Sequence, residues 1–183
     1  MGEFSRRFSA MFKSQRKVWN ELAYDLKAEF VDKGFFKPLE VVKKEEGYEI
    51  KLDSFTKMAG RTPIITTRFE SNCDAVEDFR FLIKRKNIFN KRAPKGLELI
   101  PVEYHEFDHL FRLFASNKRR IHRVFNRKLQ SQLVNQAPYR DIRIELKANI
   151  LELQIKPLIK DIEQLKSLFV LMESIQEQLR ADS

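Results

Sequence analysis

The stretch Ile142-Arg143-Ile144-Glu145-Leu146-Lys147-Ala148-Asn149-Ile150-Leu151-Glu152-Leu153-Gln154-Ile155 decides the fold. Ile142, Ile144 and Leu146 alternate with Arg143 and Glu145, and Leu151, Leu153 and Ile155 resume the alternation beyond Ala148-Asn149. Side chains along a strand point to opposite faces in turn, so the pattern predicts a hairpin with one apolar and one polar face. The same signature occurs upstream. Leu39, Val41 and Val42 precede a turn at Glu46-Gly47, and Tyr48, Ile50 and Leu52 alternate with Glu49, Lys51 and Asp53. The β-branched, Thr-rich run Ile64–Phe69 predicts a third strand. Phe79, Phe81 and Ile83 predict a fourth, and Leu110–Ala115 another.

Helical spacing frames these strands. Phe4, Phe8, Met11, Phe12, Trp19, Leu22, Leu26 and Phe30 share one face and predict a long helix that ends at Asp32-Lys33-Gly34. Asn117 is placed to cap a second helix from about Lys118 to Val134, with Ile121, Val124, Phe125, Leu129 and Leu133 on its apolar side. Asp161, with Gln164 three residues on, predicts the start of a third, whose core face carries Ile162, Leu165, Leu168, Phe169, Met172, Ile175 and Leu179. Hairpins dominate and no βαβ alternation occurs. The expected class is therefore α+β: an antiparallel sheet built from hairpins, covered by an N-terminal, a middle and a C-terminal helix. Residues 1–18 are expected to form a basic amphipathic helical extension continuing into an α+β domain over 19–183.

Composition bounds the function. With 183 residues, 43% of them hydrophobic, and 16 Phe, the chain can bury a core without cross-links. Its single cysteine, Cys73, fits a reducing compartment. No run approaches the ~20 apolar residues that span a bilayer, and the N-terminus lacks the apolar stretch of a secretory signal. The expectation is a cytoplasmic protein, free or peripheral to the membrane. A formal charge of +9 favours phosphate-rich surfaces as partners.

Trp19-Asn20-Glu21-Leu22-Ala23, Gly34-Phe35-Phe36, Ile50 to Thr56 and Thr66-Thr67-Arg68-Phe69 form an ordered set. Phe107-Asp108 with Phe111 and Asp161-Ile162-Glu163-Gln164-Leu165-Lys166-Ser167-Leu168-Phe169 complete it. Together, from about Trp19 to Leu179, they resemble an uncharacterised bacterial α+β domain family. The resemblance implies a bacterial α+β domain and brings no activity, cofactor or catalytic residue with it.

Three features bear on chemistry. His105-Glu106-Phe107-Asp108-His109 matches H-E-x-x-H, which on a helix sets two histidines on one face for Zn²⁺ beside a general base. Pro101 precedes it, a strand follows, and His122 is not at a spacing that supplies a third ligand. A polar loop is the expected state, and zinc hydrolysis through His105 and His109 is the weaker alternative. The second feature is basic. No Asp or Glu occurs between His109 and Arg140, while Arg119, Arg120, Arg123 and Arg127 fall opposite the apolar side of the middle helix. As successive i,i+4 neighbours, Arg119, Arg123 and Arg127 would repel by about 0.2–0.5 kcal/mol per pair. That cost points either to a phosphate-bearing partner, nucleic acid or acidic lipid, or to neutralisation within the fold by Glu77, Asp78 or Glu173. The loop residues Arg85, Lys86, Lys91, Arg92 and Lys95 would enlarge the patch, with Phe89 and Tyr139 as stacking candidates. The third is the N-terminal stripe of Phe4, Phe8, Met11 and Phe12, which faces a protein partner, a second copy or a membrane surface. No P-loop, dinucleotide-binding glycine cluster or nucleophile elbow is present, so no cofactor and no catalytic residue is expected. A non-enzymatic cytoplasmic binding or scaffold module, self-associating through the N-terminal helix, is the leading expectation.

Overall fold

The computed structural model describes residues 3–34, 39–60, 62–73, 78–87, 92–136 and 141–182, with backbone alone at 3–12 and 59. In chain order the described residues form α1 (Glu3–Leu26), β1 (Glu29–Val31), β2 (Glu40–Glu45), β3 (Tyr48–Ala59), β4 (Thr62–Asn72), β5 (Phe81–Arg85) and β6 (Glu98–Ile100). There follow α2 (His105–Leu110), β7 (Phe111–Ala115), α3 (Lys118–Val124), α4 (Arg127–Gln136), β8 (Asp141–Lys147), β9 (Ile150–Lys156) and α5 (Ile162–Ala181). The nine strands make one antiparallel sheet in the order β1-β2-β3-β4-β9-β8-β5-β7-β6. The expected α+β class is the observed one.

The hairpin 142–155 is the centre of that sheet. Ala148 and Asn149 both take left-handed backbone angles (φ 51° and 62°), the pair that a two-residue turn needs to match strand twist. β9 then pairs with β4 and β8 with β5, so the hairpin is inserted between strands made much earlier in the chain. Its apolar side chains Ile142, Ile144, Leu146, Leu151, Leu153 and Ile155 are all buried on the inner face.

The helices pack on this inner face. The α5 ring of Phe169 meets Phe69 of β4 edge-on at 5.0 Å. Gln176 of α5 donates to Ser71 Oγ at 2.6 Å and to the Asn72 carbonyl at 3.1 Å, and accepts from Cys73 Sγ at 3.4 Å. Buried polar groups lose their water, so this set must be satisfied internally, and it fixes α5 along β4. Asp161 caps α5 as expected, accepting from the Gln164 N–H at 2.7 Å. In α1, Trp19, Leu22 and Ala23 are buried, and Gln15 donates to Ser54 Oγ at 3.0 Å.

Three expectations need correction. α1 ends at Leu26, not at Asp32–Gly34, and Phe30 lies on β1. Lys27 takes φ 52°, its N–H bonds the Tyr24 carbonyl at 3.2 Å, and Ala28 N–H reaches back to Ala23 at 2.8 Å. This is the αL stop usually built with glycine, here made with lysine. The middle helix is two helices. α3 stops at Val124, and Asn126 starts α4 by accepting from the Leu129 N–H at 3.2 Å. Segment 105–110 is the helix α2 rather than a loop, because Phe107 is drawn into the core against Phe111 and Phe125 at 5.2 and 5.5 Å. Residues 98–100, for which no element was expected, form the edge strand β6, paired with β7. No helix of the described residues is long and apolar enough to cross a membrane.

Two substitutions test this packing by denaturant unfolding. Phe169→Ala is expected to cost about 3–5 kcal/mol, as for a fully buried aromatic. Asn126→Ala, which removes the side-chain cap at the start of α4, should cost about 1 kcal/mol.

Candidate functional site: the outer face of the sheet

Strand pairing converts alternation into rows that cross the outer face. Asp53 of β3 lies opposite Arg68 of β4, Arg68 opposite Gln154 of β9, and Gln154 opposite Arg143 of β8. Arg143 in turn lies opposite Lys84 of β5, and Lys84 opposite Arg112 of β7. One row therefore reads Asp53, Arg68, Gln154, Arg143, Lys84, Arg112. The neighbouring row, built the same way, reads Lys51, Glu70, Glu152, Glu145, Leu82, Phe114. A cationic row thus runs beside one whose middle is acidic.

Charge compensation is dense at the β3–β4 end of these rows. Asp53, almost fully buried, accepts from Arg68 Nε at 2.8 Å and Nη2 at 2.5 Å. Arg68 also lies 3.5 Å from Glu70 and 3.7 Å from Glu152. The Asp53 hydrogen bonds, outweighing burial, hold the Arg68 guanidinium well above its ordinary pKa. Arg68 and Lys57 both stand over the Phe55 ring, at 5.4 and 4.9 Å. Arg143 bonds Glu145 at 2.7 Å, and Gln154 donates to Glu152 at 2.6 Å. Beyond Arg143 the flanking row turns apolar, with Leu82 and Phe114, and both are buried. Lys84 places its ammonium 5.0 Å from the Phe114 ring centre. Burial first, and then the charges of Arg143 and Arg112, push its pKa down. Here the sheet opens into a cleft of about 230 Å³ lined by Lys84, Asn87, Asp141, Arg143, Gln154 and Lys156. Lys156 and Asp141 face each other across it at 3.7 Å.

No protein-family model matches the chain, and no curated protein matches it. Among solved structures, the crystal structure of the mycobacterial trehalose monomycolate transport factor A, TtfA, superposes with a TM-score of 0.59. The two are 10% identical, and the match covers 91% of this chain and 93% of that one. At that identity the likeness is one of fold.

The residues singled out from sequence fare unevenly. Arg120 and Arg123 converge on Asp182, Arg120 Nε at 2.7 Å, and Arg120 lies over the Phe79 ring at 4.9 Å. Arg127, separated from them by the helix break, stacks 3.2 Å from the Tyr104 ring centre. Arg119 is exposed on α3. The i,i+4 arginine stripe is thus dissolved by the α3–α4 break, and the neutralising acid is Asp182 near the end of the chain. Glu173 bonds Lys43 instead, and Glu77 lies outside the described residues. His105 and His109 are exposed on α2 with their rings nearly parallel at 6.3 Å. Among the described residues no group of three or more His, Cys, Asp or Glu is placed to hold a metal ion. Asp108 accepts from the Val102 N–H at 3.4 Å. The side chains of Phe4, Phe8, Met11 and Phe12, and residues Phe89 and Tyr139, lie outside the description. Sequence reasoning missed Lys84, Arg112, Arg143 and Gln154 as a set. Their alternation put each on a polar face, but only the register sets them side by side.

Asp182 supplies a pH test. Its carboxyl is held below the ordinary carboxylate value, chiefly by the Arg123 hydrogen bond and then by Arg120 against the opposing effect of burial. On acidification the unfolded chain therefore binds this proton first. The stabilisation is whole above the ordinary carboxylate range, near pH 4, and is lost as pH falls through the lowered folded value. Asp182→Asn should lower Tm at pH 7, with the gap to wild type closing as the pH falls below the ordinary carboxylate range, near pH 4.

Proposed function

We propose that the protein is a non-enzymatic cytoplasmic binding or scaffold module whose contact surface is the outer face of the sheet. One observation carries this reading. The helices are gathered on the inner face, while the outer face is a broad array of ordered charge rows ending in a shallow polar cleft. Paired rows of this kind give orientation and selectivity to a docking partner. The fold it shares with a mycobacterial transport factor is in keeping with a non-enzymatic role.

Two features support the non-enzymatic reading. The H-E-x-x-H segment occupies a helix of only six residues. Its glutamate is tied to the Tyr104 hydroxyl, whose pKa is raised first by the Glu106 hydrogen bond. Cys73, buried and bonded to Gln176, suits a reducing compartment.

Self-association through α1 is part of the proposal. The helix continues unbroken from Glu3 into the segment that buries Trp19 and Leu22, so its first turns extend a helix already anchored in the core. Native mass spectrometry and light scattering of the full chain and of a chain lacking residues 1–12 test it. A full chain heavier than one protomer that becomes monomeric on truncation is the expected result, and equal masses would remove self-association from the reading.

A further inference from the structure

We propose that the open edge of β3 beyond Leu52 is a docking strand for a second copy of this chain. The inference rests on the self-association reading and adds a strand contact to the helix contact. β3 is 12 residues long, and β2 pairs only with its first part, Val41 opposite Leu52 being the last pair. β4 meets β9 only from Thr67 onward. Phe55–Ala59 and Thr62–Thr66 are therefore paired with each other and, among the described residues, with no third strand. They form an arm that projects from the sheet. Thr56 and Lys57 are exposed on it, and Met58 is 65% exposed.

The two edges of the arm differ. Just past β4, the Cys73 N–H reaches the Asn149 carbonyl at 2.8 Å, on the β9 side. Backbone groups alternate in direction along a strand, so Ile65 and Pro63 also face that side, where proline has no N–H to give. Proline at such a place blunts an edge. On β3, Met58 and Thr56 stand opposite these two residues. Their N–H and C=O groups, and by alternation those of Ser54, turn away from β4 to the open side. This edge carries a donor and an acceptor at each of the three, with no proline or glycine among them.

The strand is also its own complement. In two antiparallel copies related by an axis through Thr56, threonine opposes threonine, Phe55 opposes the second copy's Lys57, and Ser54 opposes its Met58. No like charges meet, whereas an axis through Lys57 would set two ammonium groups against each other. Lys57 already stands over the Phe55 ring of its own strand at 4.9 Å, the contact that the pairing repeats between copies. Such an interface is isologous, and it sets the charged outer faces of two sheets side by side. Gln15 donates to Ser54 at the root of this edge, so the helix turns before Gln15 lead off from the same place. Helix and strand contacts therefore belong to one interface.

The full chain carrying Thr56→Cys, and for comparison Thr62→Cys on the other edge of the arm, is oxidised mildly and run on a non-reducing gel. Thr56→Cys should form a linked dimer roughly tenfold faster, because only there do the two Cα atoms come within ~7 Å. Light scattering follows Thr56→Pro, which deletes the central donor at a position whose N–H faces outward and should leave the arm folded. It should halve the mass of the wild-type dimer with little change in Tm. Equal cross-linking of the two cysteine variants overturns the strand contact, and so does a Thr56→Pro chain as heavy as wild type. If either occurs while the chain lacking residues 1–12 is still monomeric, the helix contact stands and the strand contact alone fails. A wild-type chain of protomer mass overturns both.

Discussion

Between Thr67–Asn72 of β4 and Ile150–Ile155 of β9 run the hydrogen bonds that join the two halves of the sheet. On one side stand β1 to β4, contributed by the first part of the chain. On the other stand β8, β5, β7 and β6. Without this seam each half would present a long unpaired edge, and α5 would have only part of the surface it covers. α5 reinforces the seam from above, with Phe169 on Phe69 and Gln176 bonded to the β4 strand end. The apolar side chains of β9 and the polar network of Gln176 thus act on the same line, the first through burial and the second through register.

The seam also organises the outer face. Because β9 pairs in register with β4 and β8 with β5, the charges of strands far apart in sequence are lined up across the sheet. Arg68, Gln154, Arg143 and Lys84 become neighbours only through it. The acidic row of Glu70, Glu152 and Glu145 follows from the same register. Ion pairs within and between the rows offset the like charges that the register brings together around Arg68 and Arg143.

The strands were legible because period-two alternation is strong at 39–52 and 142–155, and the turn between β8 and β9 contains Asn149, a residue type that tolerates a left-handed backbone. The helix ends were less so. Lys27 stops α1 without glycine, and Phe125-Asn126 divides α3 from α4 without proline or glycine, so neither carries the usual punctuation. α2 was read as loop because its six residues gain their helical state from the burial of Phe107, a tertiary effect. The arginine stripe looked continuous only on the assumption of one helix, and Asp182, far along the chain, could not be assigned to it. For the site, each residue's face could be inferred but not its neighbour. Nothing local says that the hairpin 141–156 enters between β4 and β5.

That insertion has a consequence for synthesis on the ribosome. β4 leaves the exit tunnel with its partner edge bare, and the strand that will cover it is translated only near the end of the chain. At ~5–20 residues per second the interval is on the order of ten seconds, far longer than a hairpin takes to form. β1 to β4 can therefore assemble early, but as a nascent half-sheet with an open flank. Chaperone occupancy during translation should be greatest while residues between Asn72 and Ile150 are being added.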